Sequence, residues 1–342
     1  MHERFQPRAC AAVVLYNPDP RHLARLVAGL DGVTLLAFAN GPLDAAARAS
    51  LDAARARIEV SPVNLGLGAG LNAVVAMARA QGFSHVLLLD QDSEPSAALI
   101  PALLGRAAST PSAAVIAPRL APPRGEGYKP IRYAWRGGPS PTGLRAVDFA
   151  PTSGSLLNLD AFETIGPFLD AFFIAGLDVE WGFRAWSLGW GSYVADDVVM
   201  PHRWGEPAAA GREIPQILRH APVRNYYYAR NVLATARLPH VPWRWRLKSC
   251  ATLAAQIGVL ALQGAPGALR PVRKGQRPAG GEGRSALDCG PVVRPYARAG
   301  MPVAPGKKKA RSGLMCRAWA VSSNGRACRS QSFFTGLYNQ SP

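Results

Sequence analysis

The sequence predicts an α/β fold, a mostly parallel central sheet flanked by helices and followed by a C-terminal helical extension. Three observations carry this reading. Short apolar runs, at 9–15, 33–38, 58–61 and 86–89, alternate with stretches whose apolar residues recur at helical spacing. The runs ACAAVVL (9–15) and VLLL (86–89) have no polar alternation, as expected of strands covered on both faces. The second of them stops at two carboxylates, Asp90 and Asp92, and ligands of open α/β sheets collect beyond the carboxyl ends of the strands.

Taken in order, 9–15 is a first strand, broken by Tyr16-Asn17-Pro18-Asp19-Pro20. Leu23, Leu26, Val27 and Leu30 give 21–30 one apolar helical face. A second strand at 33–38 ends in the turn Ala39-Asn40-Gly41-Pro42, an Ala-rich helix spans 44–57, and a third strand covers 58–61. Asn64 to Asn72 contains Gly66, Gly68 and Gly70 and runs into a helix reaching about Gln81. After the fourth strand the pattern predicts a helix over 95–108 broken at Pro101, and a strand at 114–117. Residues 122–141, rich in Pro, Gly, Arg and Tyr, read as a long loop, and loops of that length are functional or disordered. Helices are expected at 159–166, from Asp178 to Gly189, from Arg224, and at 243–262, with a strand at 192–200.

Length and charge bound the function. The 342 residues suit one large α/β domain or two domains. The formal charge is +17, but thirteen Lys/Arg against two Asp/Glu fall in 271–342, leaving +6 for the other 270 residues. The basic balance therefore belongs to the tail and does not argue for a nucleic-acid partner. Five cysteines without a CxxC pair fit neither a disulfide framework nor a zinc site and suit a reducing compartment, hence a cytoplasmic location. The apolar run near the N-terminus is too short for a signal peptide, and no run of about 20 apolar residues predicts a membrane span. The expected organisation is a domain over 1–240, a helical segment over 241–270 and a basic tail over 271–342 without periodicity. That tail reads either as a disordered extension or as an out-of-frame reading of the original C-terminus, which an intact frame in the source DNA would exclude.

Four constellations fall at predicted strand ends or turns: Tyr16 and Asn17; Asn64 with Gly66; Asp90 and Asp92; and Asp178 and Glu180 with His202. Two acids spaced i, i+2 at a strand end suit a hard divalent cation bridging phosphate oxygens, or equally an Asp-rich turn that ends the strand. Asp178 and Glu180 read as first-turn acids favoured by a helix dipole, worth about 0.3–1 kcal/mol each, or as proton acceptors. Arg230 pairs with a phosphate or caps a helix. The glycines of 66–70 suggest a dinucleotide loop, but Leu71 stands where the third glycine of G-x-G-x-x-G belongs, so they read as a turn before a helix.

Together the stretches VVLYNPD (13–19), NLGLGAGLN (64–72), LLLDQDS (87–93), TSGSLLNLDAFETIGPF (152–168), FIAGLDVEWGFRAWSLGW (173–190), PHRWG (201–205) and RNYYYARN (224–231) resemble the family 2 glycosyltransferases of GT-A fold, most of all their bacterial rhamnosyltransferase branch. The resemblance implies that Asp92 holds Mg²⁺ or Mn²⁺ on the donor diphosphate and that His202 completes the metal site. It places Asp90 near the ribose, puts Tyr16, Asn17, Asn40, Asn64, Gly66 and Arg230 among the donor-binding groups, and makes Asp178 the general base with Glu180 close behind. It implies an inverting transfer from a nucleoside-diphosphate sugar, with dTDP-rhamnose as the expected donor and a lipid-linked or cell-surface glycan as the acceptor. Two departures stand out: Ala39 and Ala175 occupy positions where the family commonly has Asp.

Three readings compete: a glycosyltransferase, a degenerate homologue that binds nucleotide or glycan as a scaffold, and a dinucleotide-dependent oxidoreductase, which the missing third glycine disfavours. Trp243, Arg244, Trp245, Arg246 and Lys248 at the head of an apolar helix suit either docking at the inner face of the cell membrane or burial against the sheet.

Overall fold

A computed structural model describes residues 8–122, 133–137, 143–202 and 222–262. The tail over 271–342 and, of the 122–141 loop, residues 123–132 and 138–141 lie outside the described residues. Eight strands form one sheet in the order β3-β2-β1-β4-β7-β5-β8-β6. They are β1 (Ala9–Leu15), β2 (Leu35–Asn40), β3 (Arg57–Ser61), β4 (His85–Leu89), β5 (Ala113–Ala121), β6 (Leu144–Val147), β7 (Ser155–Asn158) and β8 (Gly191–Pro201). The helices are α1 (Pro20–Ala28), α2 (Ala45–Ala53), α3 (Leu67–Ala80), α4 (Leu99–Ala108), α5 (Leu159–Ile165), α6 (Leu177–Ser187), α7 (Pro222–Thr235) and α8 (Trp243–Leu262).

The unbroken apolar runs are explained by two cores, one on each face of the sheet. Along β1, Cys10, Ala12 and Val14 enter one core while Ala11, Val13 and Leu15 enter the other. Along β4, Val86 and Leu88 divide from Leu87 and Leu89 in the same way. α3 and α6 cover the first face with Leu71, Val74, Val75, Leu177 and Trp181; α1, α2 and α4 cover the second with Leu23, Leu26, Leu51, Leu99 and Leu103. β3 lies at an edge, and its Arg57, Glu59 and Val60 are exposed.

Side-chain capping sets the starts of α1 and α2. Asp19 accepts from Arg21 N at 2.8 Å with Pro20 in the first turn of α1, and Asp44 accepts from Ala47 N at 2.6 Å at α2. α4 starts at Leu99 rather than at Pro95 and is not broken at Pro101. Pro101 is its third residue, in the first turn, where no intrahelical N–H partner is required.

The sheet is mixed. β2, β1, β4 and β3 are parallel neighbours, but β7 pairs antiparallel with both β4 and β5, and β6 pairs antiparallel with β8. Six strands therefore share one direction, and their C-terminal ends lie along one edge. Leu15 pairs with Ala39 and Val13 with Leu89, so β1, β2 and β4 end together and deliver Tyr16, Asn40 and Asp90 to that edge.

α6 approaches the chain before β7 at backbone distance. A Cβ on Gly182 would sit 2.6 Å from Phe149 Cβ, 2.8 Å from Phe149 Cα and 2.9 Å from Asp148 O. Gly182→Ala gains about 1 kcal/mol of helix propensity, but the overlap with backbone costs about 1–3 kcal/mol. The variant is expected to lower the midpoint of thermal unfolding; a raised midpoint would mean that the helix stands further off than described.

Candidate active site

A cleft of about 710 Å³ opens at this edge, lined by residues from the ends of β1, β2 and β4, the 64–67 loop, the start of α6, and α7 and α8. Tyr16, Asn17, Asn40, Asn64, Gly66, Asp90, Asp92 and Asp178, singled out from sequence, all line it. Four residues not singled out from sequence, Gln91, Ser153, Arg224 and Gln256, also line it.

The acidic turn is fixed from two sides. Gln91 accepts from Tyr16 N at 2.9 Å and donates to Tyr16 O at 3.3 Å, tying the turn after β4 to the loop after β1. In that loop Asn17 has a left-handed backbone, φ 45°, and Tyr16 is 52% exposed, its ring open to a ligand. Ser93 Oγ accepts from Asp90 N at 3.1 Å and lies 2.8 Å from Ser153 Oγ, which lies 3.5 Å from Nδ1 of the buried His202. The ends of β4 and β8 are thereby joined behind the cleft.

Asn40 and Asn64 shape the glycine loop. Asn40 donates to Gly66 O at 2.9 Å and accepts from Leu65 N at 3.1 Å, and Asn64 Oδ1 accepts from Gly66 N at 2.8 Å. Gly66 has φ 90°, and a Cβ there would lie 2.5 Å from the Phe173 ring, so the position excludes a side chain on both counts. α3 begins directly after it, which is the turn-before-helix expected from the missing third glycine.

Burial holds Asp90 and Asp178 above the usual carboxylate range. Asp90 is raised to about 7 by desolvation and by the neighbouring charge of Asp92, with Arg224 acting in the opposite direction. Asp178 is raised to about 6 by desolvation, partly countered by the N–H groups that bond it, among them Val179 N at 2.9 Å. Burial lowers the His202 ring, against the charge of Asp92.

Glu180, His202 and Arg230, also singled out, do not line the cleft. The Glu180 carboxylate is 2% exposed and binds Arg184 at 2.9 and 3.0 Å and His240 Nε2 at 3.0 Å. Burial pushes its pKa up, but His240 and Arg184 outweigh that and leave it below the usual range. Arg230 donates to Asn231 and to Ala171 O and lies 4.7 Å from the centre of the Tyr227 ring. Arg224, six residues earlier on α7, is the arginine that faces the cleft acids.

Among the described residues no three His, Cys, Asp or Glu side chains form a group able to hold a metal ion by themselves. Asp92 lines the cleft and lies close enough for its charge to act on His202, which is buried behind it and is not among the lining residues. This fits a partial shell, of the kind a divalent cation completes with phosphate oxygens and water.

The sequence profile of glycosyl transferase family 2 matches residues 40–165. The stretch takes in Asn40, Asn64, Gly66, Asp90 and Asp92, with Asp178 and His202 beyond it. The dTDP-rhamnosyl transferase RfbF of Shigella flexneri is 33% identical over 93 residues, 27% of this chain and 30% of its own length. The N-acetylglucosaminyl-diphospho-decaprenol L-rhamnosyltransferase of Mycobacterium tuberculosis is 28% identical over a match covering 56% of this chain and 74% of that protein. Among solved structures, S. aureus TarS superposes with a TM-score of 0.50 at 11% identity, covering 73% of this chain and 43% of TarS. GalNAc-T7, solved with UDP, GalNAc and Mn²⁺, superposes with a TM-score of 0.51 at 13% identity, covering 77% and 59%. At these identities the two structures share the fold with this chain. With its GT-A-like sheet, the family profile over 40–165 and two rhamnosyltransferase relatives, the chain is similar to the family 2 glycosyltransferases, rhamnosyltransferases among them.

Proposed function

We propose that the chain is an inverting, metal-dependent glycosyltransferase that moves rhamnose from dTDP-rhamnose to a lipid-linked or cell-surface glycan. The observation that carries this is the convergence of Asp90, Asp92 and Asp178 on one cleft together with Tyr16 and the Gly66 loop. Asp92 and His202 would hold Mg²⁺ or Mn²⁺, whose charge makes the nucleoside diphosphate a competent leaving group. Arg224 adds a fixed positive charge for the diphosphate, in the role the sequence offered to Arg230. Tyr16 presents an aromatic face to the base, and Asn40 and Asn64 hold the loop against which the nucleotide lies. Asp178 takes the proton from the acceptor hydroxyl as it attacks the anomeric carbon from the face opposite the diphosphate, inverting that centre. Glu180 holds α6 in place through Arg184 and His240. The names of the two relatives, one a dTDP-rhamnosyl transferase and one acting on a decaprenol-linked acceptor, support this choice of donor and acceptor class.

Ala39 and Ala175 favour a second reading, a scaffold that has lost catalysis. The two separate by calorimetry with UDP and dTDP, with and without Mn²⁺. The enzyme reading expects nucleotide binding that strengthens with Mn²⁺ and loses that dependence in Asp92→Ala; binding indifferent to metal in the wild type would favour the scaffold.

Asp178→Asn is expected to keep nucleotide affinity and to lose transfer by roughly 10²–10⁴-fold. The acceptor's proton is taken only by ionised Asp178, so wild-type kcat/KM should be low in acid and rise as pH passes through about 6. Transfer by Asp178→Asn at the wild-type rate, with the same acid limb, would remove Asp178 as base.

No described helix is long and apolar enough to cross a membrane. α8 nevertheless exposes Trp243 at 65%, Leu247 at 63% and Leu262 at 90%, beside Arg244 and Lys248, and contains no acidic residue. We propose that this face rests on anionic lipid at the inner side of the cell membrane. The chain should float with phosphatidylglycerol vesicles and Trp243→Ser/Leu247→Ser should not; equal recovery of both in the unbound fraction would reject the docking.

A further inference from the structure

We infer that Asn231 is a positioning residue for the transfer site, its buried side-chain amide holding the left-handed turn that connects the glycine loop to the helix bearing Asp178. The inference rests on the transferase reading above and goes beyond it to a residue that does not line the cleft.

The turn before α6 has an uncommon backbone. Phe173 has φ 61° and ψ −62°, and Ile174 N donates to Phe172 O at 2.6 Å across it, the γ-turn of the rarer hand. Ala175 and Gly176 follow with φ 69° and 78°. Two of these three left-handed residues carry a Cβ, so the conformation persists only where the surroundings impose it. The carbonyls of such a turn also have no strand or helix partner and need others.

Asn231 meets both needs. It is 2% exposed, and its Nδ2 donates to Phe172 O at 2.9 Å, Ile174 O at 2.9 Å and Ala175 O at 2.8 Å. Two hydrogens shared among three acceptors mean that one bond is bifurcated. Its Oδ1 accepts from Arg230 Nε at 3.0 Å and Nη2 at 2.9 Å, which fixes which end of the amide faces the turn. Arg230 also donates to Ala171 O, and the Tyr227 ring stacks on Phe173 at 4.7 Å.

The remaining carbonyl of the turn serves the glycine loop. Phe173 O accepts from Leu67 N at 2.6 Å and Gly68 N at 3.4 Å, the first two amides of α3, while the Phe173 ring closes over Gly66. Past the turn, Glu180 N donates to Gly176 O and opens α6, two residues after Asp178. One amide on α7 therefore sets the geometry between the loop that lies against the donor and the carboxylate that serves the acceptor.

The test compares Asn231→Ala, which removes both ends of the amide, with Asn231→Asp, which keeps the acceptor for Arg230 and removes both donors. Hydrogen–deuterium exchange over 66–70 and 172–180, nucleotide affinity and turnover are measured on the full chain. Exchange should quicken in those two segments and not in β1 or β4. Turnover should fall about 10²-fold, the loss expected of a misplacement near 1 Å, with nucleotide affinity changing less than about tenfold. Unchanged exchange in both segments would overturn the clamp. Faster exchange with turnover intact would overturn the positioning role and leave a prop for the fold. A wild-type chain that transfers no sugar would overturn the transferase reading and the positioning role with it, while the exchange result still decides the clamp.

Discussion

The structure depends on keeping three carboxylates together in a cleft that solvates them poorly. Asp90, Asp92 and Asp178 come from two separate elements, and burial and mutual repulsion raise Asp90 to about 7 and Asp178 to about 6. Ionising Asp90 there costs on the order of 4 kcal/mol more than in water. Among the described residues, the Arg224 charge acts against this. On the reading proposed above, a divalent cation with a phosphorylated ligand would relieve this cost. On that reading, binding and electrostatic relief would be the same event.

Side-chain hydrogen bonds tie together the segments behind the acids. Gln91 fastens the acidic turn to the loop after β1, and the Ser93–Ser153–His202 row joins the ends of β4 and β8. Glu180 spends its charge on Arg184 and His240, so the acid nearest in sequence to Asp178 adds none to the cleft. The antiparallel β7 brings Ser153 beside Ser93, because the chain enters that strand from the cleft edge. A fully parallel sheet would have ended the strand there and left the seat beside Asp90 to another residue.

Much of this was legible in the sequence, for physical reasons. β1 and β4 are unbroken apolar runs because both faces are covered, and the site residues follow the strands at predictable ends. β7 was not legible: four residues, Ser155 to Asn158, carry too little pattern to give a direction. Glu180 could have been set aside from spacing alone. Residues i and i+2 on a helix point to nearly opposite sides, so a cleft that takes Asp178 sends Glu180 into the protein. The same geometry separates Arg224 from Arg230, six positions apart and on different faces of α7. The partner of Glu180, His240, has no local signal, since it arrives on the link between α7 and α8. The tail over 271–342 and the stretches 123–132 and 138–142 lie outside the described residues.

Asp178 stands where two local effects oppose each other. It is the second residue of α6, where the helix N-terminus favours a negative charge by about 0.3–1 kcal/mol, and its Oδ1 takes the Val179 N–H. Burial works the other way and wins, since its pKa rises to about 6. Had α6 begun a turn earlier, Asp178 would sit in the helix interior, without free N–H groups to temper the desolvation. Had it begun later, the side chain would hang from a loop with no fixed direction. The left-handed entry through Ala175 and Gly176 starts the helix at the one register that gives the carboxylate both a fixed aim and a pKa near neutrality. The unfavourable backbone is therefore the means by which the Asp178 carboxylate, the base in the reading proposed above, is set, and it belongs to the cleft as much as the carboxylate does.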